Sequence, residues 1–128
     1  MEMKNKYGLD FINQKNSDGS TTKICKRNVL DKESELQIIS RLDSFETNSL
    51  ISELDNAIKG KYYDFYFCTD SIDDSIIYIT KLSVIINDIF EIPIQDMKDL
   101  LGEWILFLQS WYKLRINKGY KRNIGSLY

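Results

Sequence analysis

Apolar residues recur at intervals of three and four between residues 47 and 59, which is the spacing of a helix with one buried face. Thr47 or Asn48 is expected to cap its first amides, and Gly60 to adopt the left-handed conformation that closes a helix. The apolar positions of this helix are Leu50, Ile51, Leu54, Ala57 and Ile58.

A second and stronger helical pattern runs from residue 95 to residue 115, directly after Pro93, which suits a strand end or the start of a helix. Its apolar stripe consists of Met97, Leu101, Trp104, Ile105, Leu108, Trp111 and Tyr112. The following segment, 117–128, contains two glycines and few apolar residues, which predicts a loosely held tail or one short edge strand.

The N-terminal third is predicted to form a β-hairpin. Residues 7–12 and 22–27 are its candidate strands, and the Asn-, Ser-, Asp- and Gly-rich segment 13–22 is the connecting loop. Residues 36–42 fit neither the helical nor the strand period decisively, and we favour a strand there.

The aromatic-rich run from Lys61 to Thr69 has high strand propensity. Alternation along it predicts two faces. The face expected to be buried carries Tyr63, Phe65 and Phe67, and the face expected to be half exposed carries Tyr62, Asp64, Tyr66 and Cys68.

After an acidic turn, residues 76–81 and 82–87 are rich in β-branched side chains and predict one long strand or two short ones. Together these elements predict a single α+β domain over residues 1–128. We expect an antiparallel sheet of four to six strands, with the helices at 47–59 and 95–115 packed against one face.

Charge is distributed unevenly, although the net charge of the chain is only -2. Residues 34–103 contain 14 acidic and 5 basic side chains, whereas residues 104–128 contain 5 basic side chains and no acidic ones. An acidic central surface would repel phosphates and attract a basic partner. The basic C-terminal region, with interleaved aromatic residues, leaves a nucleic-acid-binding surface open as an alternative.

Several common catalytic groups are missing from the sequence. The chain has no histidine, which is the most frequent general base and a frequent zinc ligand. None of its six glycines has the spacing of a phosphate-binding loop, and Cys25 and Cys68 have neither metal-ligand nor disulfide-framework spacing. We therefore expect no enzyme activity, no cofactor and no metal site.

Asp70, Asp73 and Asp74 are the remaining catalytic candidates, because carboxylates can serve a hydrolase without histidine. Their segment lacks the turn glycine and terminal glutamate of a calcium loop, so a solvated turn or a charged contact patch is the favoured interpretation.

Residues 1–15 are interrupted by charges and contain no apolar core of a signal peptide, and the apolar stretches elsewhere also contain charged residues. We expect a cytoplasmic protein with both thiols free and no membrane segment.

The aromatic strand, the β-branched run and the segment IFEIPIQDMKDLLGEWILFLQSWY resemble the small immunity proteins of bacterial contact-dependent growth inhibition and related polymorphic toxin systems. The resemblance extends from Lys61 to Tyr112 and is one of type, without a catalytic signature. It implies a cytoplasmic α+β protein that neutralises a cognate toxin domain, commonly a nuclease, by occluding its active or substrate-binding surface.

We therefore expect the chain to bind a toxin domain with a basic surface, and to bind neither nucleic acid nor a membrane. A nucleic-acid-binding protein and a subunit of a larger assembly remain alternatives. The predicted partner-binding residues are Tyr62, Asp64, Tyr66, Asp70, Asp73 and Asp74.

Overall fold

The computed structural model describes residues 2–120, with side chains through Ser110. It is an α+β fold with two antiparallel sheets, one of two strands and one of four, as the fold-class prediction requires. In chain order the elements are α1 (Met3–Lys6), β1 (Leu9–Lys15), β2 (Thr21–Arg27), a 3₁₀ helix (Lys32–Arg41), α2 (Ser44–Ile58), β3 (Tyr66–Phe67), a second 3₁₀ helix (Asp70–Ile72), β4 (Ile77–Ile79), β5 (Ser83–Ile86), β6 (Phe90–Pro93) and α3 (Ile94–Tyr120).

The predicted hairpin is confirmed, and it forms the two-stranded sheet. β1 and β2 pair in antiparallel register from Leu9 opposite Arg27 to Lys15 opposite Thr21. The loop between them turns through Gly19, whose φ of +90° lies in the region that favours glycine.

The prediction of a strand over residues 36–42 is wrong, because this segment belongs to the first 3₁₀ helix. Asp31 caps that helix in a reciprocal capping box with Ser34. A 3₁₀ helix has about three residues per turn, so residues three apart share a side. Leu36 and Ile39 are accordingly both fully buried.

The same spacing directs two polar side chains of the 3₁₀ helix toward the outer edge of β2. Gln37 accepts a hydrogen bond from the amide of Arg27, and the Ser40 hydroxyl bonds both the amide and the carbonyl of Cys25. These contacts satisfy backbone groups that an edge strand would otherwise leave unpaired. A strand at 36–42 could also have bonded these backbone groups. Its side chains would alternate between two faces, however, so Leu36 and Ile39 would not be buried on the same side.

Helix α2 starts three residues earlier than predicted, and its cap is Asp43 instead of Thr47 or Asn48. The Asp43 carboxylate accepts from the Glu46 amide while Glu46 accepts from the Asp43 amide. Thr47 is buried, and its hydroxyl donates to the Asp43 carbonyl. The helix closes at Gly60, which has the predicted positive φ of +74°.

The second sheet has the strand order β3-β4-β5-β6 with all neighbours antiparallel, so residues 76–87 form two short strands instead of one long one. Its inner face is entirely apolar and buried, and it packs on α3, which in turn packs on α2. The residues of this inner face are Phe67, Ile77, Ile79, Val84, Ile86, Phe90 and Ile92.

Helix α3 begins at Ile94 directly after the strand-ending Pro93, as predicted. Its buried stripe includes Met97, Leu101 and Trp104, and the Trp104 indole donates to the Leu42 carbonyl at 3.0 Å. The helix continues beyond the predicted end at residue 115 to Tyr120, so the first residues of the predicted tail are helical. The remainder, residues 121–128, lies outside the described residues.

The aromatic run at 61–69 is a strand only at Tyr66 and Phe67, so the prediction of one long strand is wrong. The chain bends at Phe65, which interrupts the alternation of faces. Phe67 is buried as expected, but Phe65 is 66% exposed. Strand propensity alone could not predict this, because pairing with β4 extends over only two residues of the run.

Candidate partner-binding surface

A row of side chains crosses the outer face of the four-stranded sheet, opposite the face that packs on α3. The strand register pairs Tyr66 with Tyr78, Tyr78 with Ile85, and Ile85 with Glu91. Directly paired residues of an antiparallel sheet project to the same side, so these four side chains form one continuous line. The line runs from an aromatic end on β3 to a carboxylate on β6.

Three rings are in contact at the aromatic end of this line. The rings of Tyr66 and Tyr78 have centroids 5.5 Å apart, and the ring of Phe65 lies nearly parallel to that of Tyr78, with centroids 6.3 Å apart and 15° between the planes. Tyr66 is 43% exposed and Tyr78 is half-buried. We call Phe65, Tyr66, Tyr78 and Ile85 the aromatic face.

The local geometry explains why Tyr66 and Tyr78 come so close. The Ile79 amide donates to the Phe65 carbonyl at 2.7 Å, so residues 65 and 79 are a hydrogen-bonded pair of the ladder. Hydrogen-bonded and non-hydrogen-bonded pairs alternate along an antiparallel ladder, which makes Tyr66 and Tyr78 a non-hydrogen-bonded pair. Side chains are closest at such pairs, and the ring contact follows.

Two of the predicted residues lie together beside the aromatic face. The Tyr62 hydroxyl donates to the Asp64 carboxylate at 3.2 Å, and Tyr62 is 86% exposed. The Asp64 amide donates to the Glu53 carboxylate of α2 at 2.9 Å, which anchors this segment to the helix. The segment next to Phe65 therefore presents an exposed ring and two carboxylates.

The carboxylates of the acidic turn after β3 differ in whether they form an ion pair. Asp74 forms an ion pair with Arg41 at 2.7 Å, and the hydrogen bond from the guanidinium lowers the pKa of this carboxyl. Asp70 and Asp73 are exposed, and within the described residues neither forms an ion pair. Asp74 is thus a structural residue, while the other two remain available to solvent.

Other acidic residues of the central region hold the fold together. Asp55 of α2 bonds Lys59 and also Lys98 of α3, and hydrogen bonds from these two lysines lower its pKa to about 2. Asp96 accepts from the Tyr7 hydroxyl at 2.6 Å and pairs with Lys6. Several central carboxylates are therefore engaged within the fold, so fewer of them than the sequence count implies are available for the expected docking surface.

The sequence pattern missed Phe65, Tyr78 and Ile85 as surface residues. A signal for Tyr78 was present, since it is the one aromatic between two isoleucines in the alternating strand Ile77–Ile79. The sequence alone could not place Tyr78 beside Tyr66, because this contact depends on the register of β3 and β4. The connection between these strands is too long to fix their register from the sequence.

The two cysteines lie in contrasting environments. Cys25 is buried, and this burial, with a smaller contribution from Asp10, raises the pKa of its thiol to about 12. Cys68 is exposed and free, two residues after Tyr66. Only Cys68 is accessible to reagents in solution.

Within the described part of the chain, no three His, Cys, Asp or Glu side chains converge as metal ligands would. None of the helices in residues 2–120 combines the length and apolar character needed to cross a membrane. The basic side chains from Lys113 onward lie outside the described ones.

Neither a protein-family model, nor a curated protein, nor a solved structure matches this chain.

Proposed function

We propose that this protein is an immunity protein that binds a cognate toxin domain, for example a nuclease, and occludes its active or substrate-binding surface. The observation that carries the proposal is the aromatic face, which lies opposite the buried inner face of the sheet and has Phe65 and Tyr66 exposed and Tyr78 and Ile85 partly buried. We include Tyr62 and Asp64, which precede Phe65 in the chain, and propose the exposed carboxylates of Asp70 and Asp73 as further contacts. Asp74 instead contributes to the fold through Arg41.

Exposed tyrosines on a rigid sheet suit an interface of this kind. Aromatic anchors supply most of the binding energy of protein interfaces, and their rings lose little conformational freedom on binding. The three contacting rings are held by the ladder hydrogen bonds beneath them, so little ordering is required when a partner docks. Carboxylates around the anchors then contribute association rate and specificity.

The charge of the segment that carries the rings favours a basic protein as the partner. Residues 61–93, which include β3 to β6, contain six acidic and two basic side chains. Nuclease surfaces that hold phosphates are basic, so they complement such a segment. The bases of a nucleic acid could also stack on exposed rings. The phosphates of its backbone would be repelled by the same carboxylates, however, so a basic protein is the favoured partner.

The environment of the thiols agrees with a cytoplasmic location, which is part of the same proposal. Cys25 is buried and Cys68 is exposed, and neither is in a disulfide. An exposed unpaired thiol persists in the reducing cytosol. An immunity protein acts in that compartment because an imported toxin domain acts there.

The proposal is tested with the product of the neighbouring gene. The full chain is co-expressed with that toxin candidate, cell survival is measured, and the two proteins are co-purified. We expect survival and a stable one-to-one complex. The proposal is overturned when the chain protects against no toxin encoded beside it.

Variants then locate the binding surface. Phe65→Ala combined with Tyr66→Ala should abolish protection, whereas Leu106→Ala should retain it. Leu106 is a matched control because it is 63% exposed and lies on α3, on the other side of the sheet. Thermal unfolding of each variant confirms that it is folded. A folded double variant that protects as well as the parent would contradict the aromatic face as the binding surface.

A further inference from the structure

We infer that the rings of Phe65, Tyr66 and Tyr78 form a seat for an arginine side chain of the partner. The inference rests on the proposed function and specifies which group of the basic partner reaches the aromatic face. Phe65 and Tyr78 lie with their planes only 15° apart, and Tyr66 closes one side of the pair at 5.5 Å from Tyr78. We call these three residues the ring cluster.

Three other rings of the protein have a lysine amine over them. The Lys23 amine lies 4.3 Å from the centre of the Phe107 ring, Lys4 lies 5.4 Å from that of Phe11, and Lys6 lies 5.7 Å from that of Tyr7. Among the described side chains, no lysine or arginine lies over the ring cluster. Of the groups of contacting rings within the described residues, the ring cluster is thus the one with no lysine or arginine over it.

Carboxylates lie next to the ring cluster in the chain and further along the same face of the sheet. Asp64 precedes Phe65 directly, and Glu53 is fixed next to it by the hydrogen bond from the Asp64 amide. Glu91 lies in line with Tyr78, two strands away, which corresponds to about 10 Å. A cation over the rings would therefore be attracted by the rings and by the negative charge of the surrounding carboxylates.

The shape of the cluster distinguishes arginine from lysine. A guanidinium is planar, stacks on aromatic faces and can bond a carboxylate through two parallel donors. An ammonium is compact and more strongly hydrated, so it loses more when it leaves water for an apolar ring surface. Nearly parallel rings with an adjacent carboxylate therefore favour the planar group.

The inference is tested without the toxin, by titrating the full-length protein with a capped hexaarginine peptide and, separately, with capped hexalysine in a calorimeter. Both peptides carry the same charge, so general attraction to the acidic surface affects them equally. We expect hexaarginine to bind roughly threefold to tenfold more tightly at physiological salt. Equal affinity for the two peptides would overturn the inference.

Two variants test whether a preference for hexaarginine over hexalysine depends on the rings. Phe65→Leu and Tyr78→Leu keep apolar surface but remove an aromatic face, and each should reduce the preference for hexaarginine while leaving hexalysine binding unchanged. Phe65 lies on an exposed bend, so its variant remains informative even when Tyr78→Leu alters stability. Leu106→Ala is the control that should bind both peptides like the parent. A preference that survives both ring variants would contradict the ring cluster as the seat.

The outcomes separate this inference from the proposed function. Loss of the arginine preference in a protein that still protects against its toxin overturns only the arginine seat. A ring-dependent preference in a protein that protects against no neighbouring toxin supports the seat and overturns the immunity function.

Discussion

The two faces of the four-stranded sheet are built from the same strands and yet differ in how far their side chains are buried. On the inner face, Ile77, Ile79, Val84 and Ile86 are buried against the helix layer. On the outer face, Tyr66 is exposed while Tyr78 and Ile85 are partly buried. Apolar character along a strand therefore does not by itself identify the core, and the exposed aromatic end of the outer row is a candidate contact surface.

The acidic residues on the two sides of the sheet differ in the same way. On the helix side, Asp55 joins α2 to α3 through Lys98, and Asp96 joins α3 to Tyr7. On the other side, and within the described residues, Glu91 accepts a side-chain hydrogen bond from Ser83 at 2.6 Å and forms no ion pair. Carboxylates on the helix side stabilise the fold, and those beside the aromatic face remain able to meet a partner.

The largest expected effect comes from truncating neighbouring isoleucines on opposite faces of β5. Ile86→Ala should lower the free energy of unfolding by about 2–5 kcal/mol, because it leaves a cavity beneath the inner face. Ile85→Ala, the matched control, should lower it by roughly 1–2 kcal/mol, because this side chain is only partly buried. Urea denaturation followed by circular dichroism measures both. Equal losses would contradict the division of the sheet into a core face and a contact face.

A smaller effect on stability is expected from the ring cluster. Tyr78→Leu should lower the free energy of unfolding by about 0.2–1 kcal/mol, since it removes a cross-strand ring pair on the outer face. Its effect on partner binding should be much larger than its effect on stability. Thermal unfolding and complex formation, measured on the same preparation, give both quantities. Destabilisation as large as that of Ile86→Ala would show that Tyr78 belongs to the core.

The smallest effect is expected from the helix-side carboxylate Asp55, and it depends on pH. Its folded-state pKa of about 2 lies below its ordinary value of 3.8, so its contribution to stability is fully present above pH 3.8 and is lost as the pH falls toward 2. Asp55→Asn should therefore be slightly less stable than the parent at neutral pH. Denaturation series at neutral pH and near pH 2 compare the free energies of unfolding of the two proteins, and their difference should disappear near pH 2. A difference that persists there would contradict the ion pairs as its cause.

The fold could be predicted to a large extent because its signals are local. The hairpin loop, the helical spacing at 47–59 and 95–115, and the β-branched strands each depend on residues close together in the chain. The segment 36–42 could not be predicted in this way. Its β-branched residues suggest a strand, but burial of Leu36 and Ile39 on one side and the bonds from Gln37 and Ser40 to β2 favour a 3₁₀ helix.

The candidate site could be predicted only in part. Tyr62, Asp64 and Tyr66 could be singled out because alternation along the aromatic-rich run separates them from Tyr63, Phe65 and Phe67. Asp74 was assigned to the same surface, but its bond to Arg41 arises from a contact between segments 33 residues apart in the chain. Nothing local distinguishes it from Asp73, which remains free of such a bond within the described residues.

The amino-acid sequence is sufficient to predict α+β elements, an acidic middle and a basic end in a chain without histidine. Which of these residues come into contact depends on the folded arrangement. It brought Tyr78 against Tyr66, turned Phe65 outward at a bend, and used several carboxylates for ion pairs and caps. The physical reason is that spacing along a chain reports only neighbours in one element, whereas strand register and helix packing place residues from distant segments side by side.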